Sequence, residues 1–249
     1  MKIKILYEDQ DILAVDKPSG ILVHPDQRSK EKTILDLFTK KYPKIEIVHR
    51  LDKDTSGVML LAKNQKAFLS LKSQFVNKEI KKTYVAIING WVKNDHGIIN
   101  KPIGRSPSDF RRRLSGRGAR GEMREAITEY KVLKRFEIRA KDCNIFQSCA
   151  LPGVPGGTLG HGKSYNPSPV QFTYLEIYPK TGRTHQIRVH LKYINHPVVC
   201  DSLYNPNQLC PKNISRLALH AKSIEFKNLK DKIIKVVSPI PKEFTKVVK

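Results

Sequence analysis

A chain of 249 residues can bury one large core or two smaller ones, so length alone excludes little beyond a peptide-sized module. Its 46 Lys and Arg against 23 Asp and Glu leave a formal net charge of +23, an excess that repels itself and implies a polyanionic partner, nucleic acid first and an anionic membrane surface second. No charged leader with an apolar core opens the chain, and no apolar run approaches the ~18 residues that cross a bilayer, so a soluble, cytoplasmic protein without a membrane partner is expected.

Taken in order, Ile3, Ile5 and Tyr7 alternate with polar residues, the polar stretch 8–11 turns the chain, and residues 12–15 run back, which predicts an opening hairpin. A short helical pattern follows at Ile34, Leu35, Leu37 and Phe38, then an apolar strand over 58–62. Ala67, Leu69, Leu71, Phe75 and Val76 mark a rough helical face, entered through Asn64 as an N-cap. A further strand covers 84–88. Residues 101–125 hold eight Lys or Arg against three acids, with Arg111-Arg112-Arg113 and a Gly-rich continuation through Gly116, Gly118 and Gly121, and are expected to form a mobile basic loop. Strand patterns at 126–133 and 172–178 flank a stretch, 140–171, in which nine of 32 residues are Gly or Pro, read as an insertion. Thr184 is the expected cap of a helix carrying Ile187, Leu191 and Ile194 on one face, and strand-like runs around Ile224 and over 233–237 complete the chain. Strands outnumber helices and partly form hairpins, which predicts an α+β domain over 1–249 built on a mostly antiparallel sheet. Cys143, Cys149, Cys200 and Cys210 match no common zinc or redox spacing and are expected to be free thiols.

Three clusters carry polar chemistry. In His49-Arg50-Leu51-Asp52-Lys53-Asp54-Thr55-Ser56-Gly57, alternating acids resemble the first half of a calcium loop, but the twelfth position is Lys63 and not Glu, and Arg50 and Lys53 add charge where a cation would sit. The remaining readings are a catalytic loop or a capping turn. Gly157, Gly162, Lys163 and Ser164 satisfy a phosphate-loop pattern, yet Pro152, Pro155, Pro167 and Pro169 deny it the strand before and the helix after that such a loop needs. Residues 181–190, TGRTHQIRVH, load the first turns of a helix with cations against its dipole, so RNA phosphate or the carboxylate of Asp52 is expected to compensate them.

The loop HRLD followed by Thr55-Ser56-Gly57 resembles the signature of the RluA family of pseudouridine synthases. The likeness extends to Asp16-Lys17-Pro18-Ser19-Gly20, Lys82-Thr83-Tyr84, Pro102-Ile103-Gly104-Arg105, residues 181–190, His196-Pro197 with Asp201 and Tyr204, and Leu219-His220-Ala221, in the family's order. It implies a single catalytic domain around a mixed, mostly antiparallel sheet, acting on RNA without metal or organic cofactor. It further implies Asp52 as the catalytic carboxylate, Arg188 as its cationic partner, Tyr84 as the ring packed on the target base and Leu219 as an apolar wall of the base pocket. His49, Arg50, Arg105, Arg111, Arg112, Arg113, Arg183 and His185 are the expected RNA contacts, although His49 could instead pack beneath the loop. Cys200 and Asn205 stand where relatives usually carry Gly. The catalytic pattern begins at Ile3, so no small N-terminal RNA-binding domain is expected, and neither is an oligomer. A basic RNA-binding protein without catalysis is the competing function, tRNA and large-subunit rRNA are the competing substrates, and an intact Asp52, Tyr84 and Arg188 favour the enzyme.

Overall fold

The computed structural model describes residues 3–25, 31–116, 118–145, 168–206 and 208–249. The opening alternation forms β1 (Lys4–Glu8) and β2 (Ile12–Lys17), an antiparallel hairpin whose turn is closed by the Asp9 carboxylate, which accepts the main-chain N–H groups of Asp11 and Ile12. Helix α1 (Ile34–Thr39) starts at a capping box between Thr33 and Asp36. After β3 (Glu46–Ile47), the apolar run becomes β4 (Ser56–Ala62), buried along its whole length. Asn64 caps α2 (Gln65–Val76) by accepting the N–H of Ala67, as its position before the helical pattern predicts.

There follow β5 (Lys81–Asn89), β6 (His96–Asn100), β7 (Ile103–Arg105), β8 (Arg113–Ser115), β9 (Arg120–Arg124), β10 (Ile127–Ile138), β11 (Cys143–Ile145), β12 (Val170–Pro179), α3 (Gln186–Tyr193), β13 (Leu209–Pro211), β14 (Leu219–Lys227), β15 (Ile233–Val237) and α4 (Lys242–Val247). Ten strands share one sheet along β1-β2-β4-β14-β5-β12-β10-β6, with β3 beside β4 and β15 beside β14. Among the described residues the one parallel pairing is β4 with β14, so the class is α+β with a mixed, mostly antiparallel sheet. That pairing depends on Gly57, whose φ is +113° and whose missing Cβ would otherwise run into the Ala221 backbone. Two apolar clusters fill the molecule. One joins β2, β4, α1 and α2 through Leu13, Leu60, Ile34 and Leu71, and the other joins β5, β12 and α3 through Ile87, Phe172, Leu175 and Leu191.

Two expectations are corrected. The basic stretch 101–125 is not a loop: β7, β8 and β9 pair antiparallel as a separate three-stranded sheet. Its anchor is Ile103, buried in a small cluster with Val189 of α3 and Tyr204, while left-handed Gly116, Gly118 and Gly121 turn the chain between and within its short strands. Cys200 and Cys210 are not free thiols but a disulfide, the chain between them folding back so that their Cα atoms stand 5.7 Å apart. Cys143 is a free, buried thiol. Cys149 and the phosphate-loop pattern at 157–164 lie outside the described residues, as does most of the segment read as an insertion.

Candidate active site

The loop between β3 and β4 is held from behind by a buried cation. Lys17 donates its Nζ to the carbonyls of Pro18 at 3.0 Å, Ile21 at 2.9 Å and Lys53 at 2.8 Å, and Ser19 Oγ donates to the carbonyl of Asp54 at 2.7 Å. Burial pulls the Lys17 pKa down to about 8, with the Asp54 and Asp52 charges acting against it. Clamping the Lys53 and Asp54 carbonyls, immediately after Asp52, fixes where Asp52 presents its carboxylate.

Arg188 meets that carboxylate, Nη1 to Oδ2, at 3.3 Å. It is itself gripped by Asp201, with Nε to Oδ2 at 2.7 Å and Nη2 to Oδ1 at 2.8 Å, and its guanidinium lies 5.1 Å from the centre of the Tyr204 ring. Burial opposes its charge, but the hydrogen bonds and charge of Asp201, with the Asp52 charge added, together outweigh burial and raise the Arg188 pKa. Sequence reasoning quoted Asp201 as a motif residue and gave it no role. The available signal was that an arginine on an otherwise buried helix face needs a carboxylate of its own.

Asp52 and Arg188 open on a cavity of about 580 Å³ that Tyr84 and Leu219 also line. The sheet order explains the convergence: β4, β14, β5 and β12 are successive neighbours, the Asp52 loop feeds β4, Leu219 begins β14, Tyr84 lies on β5, and β12 leads into α3. Burial, and then the Asp52 charge, raises the Tyr84 pKa, so the phenol stays neutral. Seven Lys or Arg residues line the same cavity, and Asp52 is its one carboxylate among the described residues. Glycosidase chemistry with two carboxylates is therefore not what this cavity is built for. A single carboxylate beside an aromatic face and an apolar wall, rimmed by cations, suits a nucleobase whose backbone runs across the mouth.

The expected RNA contacts divide into three groups. Arg50 and Arg183 line the cavity mouth, exposed, and Arg183 Nε donates to the carbonyl of Glu125. His49 also lines it, but its Nε2 accepts the Leu60 N–H at 2.9 Å and its ring packs on Phe75, and burial and the Lys82 charge push its pKa down to about 3. It is an uncharged brace between the loop and β4. Arg105 and Arg113 belong to the small basic sheet, and Arg111 and Arg112, in the connection between β7 and β8, share the Asp109 carboxylate; none of the four lines the cavity. Arg105 lies directly opposite both Arg113 and Arg120, an unfavourable arrangement unless an anion comes between them.

Thr184 does not cap α3. The N-cap is His185, left-handed at φ 57° and without a side-chain capping bond, because buried Gln186 takes over the turn: its Oε1 accepts the Thr181 hydroxyl and the Arg183 N–H, and its Nε2 donates to Ile127 and Thr128. This turn brings His185 Nε2 to 3.9 Å from Asp52 Oδ1. His190 bridges Thr128 and the carbonyl of Lys101 and is structural.

Known proteins share both sequence and fold with this chain. A family described as RNA pseudouridylate synthase matches residues 11–193. An uncharacterized RNA pseudouridine synthase of Bacillus subtilis, YlyB, is 32% identical over the whole chain and 72% of its own length. An uncharacterized RNA pseudouridine synthase of Aquifex aeolicus is 36% identical over 81% of this chain and 56% of its own length, and ribosomal large subunit pseudouridine synthase D of Borreliella burgdorferi is 34% identical over 97% and 66%. The chain thus spans between about half and three quarters of the length of these relatives. Human RNA pseudouridylate synthase domain containing 1 has the same fold, with a TM-score of 0.71, 22% identity, and coverage of 96% of this chain and 83% of the other. A match over residues 11–193 and relatives above 30% identity along the chain establish that it belongs to the RNA pseudouridylate synthase family.

Proposed function

We propose that the chain isomerises uridine to pseudouridine within structured RNA, with Asp52 as the reacting carboxylate. The observation that carries this is the single carboxylate of the cavity, paired with Arg188 beside Tyr84 and Leu219. Pseudouridine formation breaks the C1′–N1 bond, turns the uracil and rejoins it through C5, so the detached base must be kept captive next to a group that acts on the sugar. An ionised carboxylate serves either as a nucleophile at C1′ or as a base taking a sugar proton. Arg188 pairs with it and orients it, Tyr84 offers a face for an extruded base, and Leu219 supplies an apolar wall. A basic protein that only binds RNA would have no use for a carboxylate at the centre of a cationic cavity.

The substrate we propose is large-subunit ribosomal RNA, the RNA in the name of the Borreliella relative, ribosomal large subunit pseudouridine synthase D. Arg50 and Arg183 would hold phosphates at the mouth, and Arg105, Arg113 and Arg120 would hold them further out, with the protein working as a cytoplasmic monomer. The test is to map pseudouridines across total RNA from cells with and without the gene. Loss of one or a few sites in large-subunit RNA is expected; loss confined to transfer RNA would reassign the substrate, and an unchanged map would remove the activity.

A further inference from the structure

We infer that His185 is a second partner of the Asp52 carboxylate, donating from Nε2 toward Oδ1, and that the Tyr204 hydroxyl holds it in the tautomer able to do so. This deepens the proposed function, since it rests on Asp52 as the reacting group and adds two positioning residues.

The direction of the hydrogen bonds follows from one donor whose identity is fixed. The main-chain N–H of Arg113, in β8, donates to the Tyr204 hydroxyl oxygen at 2.9 Å. That phenol is buried and has one hydrogen of its own to give, and His185 Nδ1 lies 3.0 Å away. A ring nitrogen that accepts carries no proton, so the neutral imidazole keeps its proton on Nε2. Nε2 is the atom that faces Asp52 Oδ1 at 3.9 Å, while Arg188 takes Oδ2. The two carboxylate oxygens therefore face different partners, one a cation and one a neutral donor.

The electrostatics and the backbone agree with this assignment. Burial holds the His185 pKa below its ordinary value against the pull of Asp52, so near neutral pH the ring orients the carboxylate without cancelling its charge. A separation of 3.9 Å is too long for a hydrogen bond, and about 1 Å of closure as a base fills the cavity would form one. His185 also occupies a left-handed backbone conformation at a helix start and gives no capping bond in return. Strain of that kind is kept where the side chain is needed elsewhere. Because the donor series begins in β8, the orientation of Asp52 is tied to the same small sheet that carries Arg105 and Arg113.

The test uses His185→Asn and Tyr204→Phe in the full chain, on a pool of unmodified transfer RNA and large-subunit ribosomal RNA transcripts. Asn tolerates the left-handed backbone and its amide can still meet Tyr204, but it has no atom where Nε2 lies. Turnover should fall on the order of tenfold, with KM and RNA affinity within about twofold of wild type. In the free protein, imidazole 15N shifts should show wild-type His185 protonated on Nε2, and Tyr204→Phe should convert this to a mixture of tautomers with slower turnover. Wild-type kcat in His185→Asn, a loss confined to KM, or a wild-type proton on Nδ1 would each overturn the inference. Asp52→Asn on the same RNA separates the two levels: if it retains turnover the reading of Asp52 fails, and if it alone is inactive only the role of His185 fails.

Discussion

Arg188 reaches Asp52 through a contact longer than either of those it makes with Asp201, so the fixed point of the pair is Asp201, fully buried and also bonded to the N–H groups of Leu203 and Tyr204. Replacing it should hurt twice. Asp201→Asn takes from a buried guanidinium the closer of its two counter-charges, a loss of up to about 3–5 kcal/mol, and loosens the hold that aims Arg188 at Asp52. A clear drop in melting temperature together with a fall in turnover is expected; a variant as stable as wild type would mean that the guanidinium finds other partners and that Asp201 is not its anchor. Asp201 shows why a motif read residue by residue yields its central members more readily than their supports. Asp52, Tyr84, Arg188 and Leu219 carry the resemblance, and the structure brings all four to one cavity, but the second carboxylate becomes visible only when the burial of Arg188 is known.

At the scale of elements, legibility followed periodicity. The opening hairpin and α2 repeat with the period of strand or helix, β4 is an unbroken apolar run, and all three signals are local. The small basic sheet escaped because two of its strands have three residues each, its glycines resemble a linker, and its one buried anchor, Ile103, packs on a helix eighty-odd residues later. The start of α3 was misread for a related reason, since Gln186 reaches across to Ile127 and Thr128, partners that no local window contains. The basic sheet has its own test. Arg105 and Arg120 carry no ion pair among the described residues and sit opposite one another, so they are available to phosphate. Arg105→Ala, Arg113→Ala and Arg120→Ala combined should weaken RNA binding and reduce the slope of log affinity against log salt by about 2–3, from roughly 0.7–0.9 per released phosphate contact. An unchanged slope would mean that this sheet points away from the RNA.

The whole molecule carries a charge of +23, and its response to acid depends on histidines that the fold keeps neutral, His49 and His220 most strongly. Burial depresses His49 to about 3 and His220 to about 4, against an ordinary value near 6.5. Below pH 6.5 the unfolded chain binds these protons and the folded chain does not, so their contribution is fully present above 6.5 and is lost as the pH falls toward 3–4. Urea midpoints should decline over that window. His49→Gln, which keeps an acceptor for the Leu60 N–H and cannot titrate, should decline less steeply; an identical slope would show that carboxylates alone set the acid limit. The central claim, that one carboxylate in a cationic cavity isomerises uridine, is tested most directly by the turnover of Asp52→Asn beside Asp54→Asn on unmodified large-subunit RNA. The amide at 52 can act neither as nucleophile nor as base, so pseudouridine formation should vanish while phosphate-driven RNA binding persists, and Asp54→Asn should remain active. Pseudouridine formed at near wild-type rate by Asp52→Asn would contradict the account.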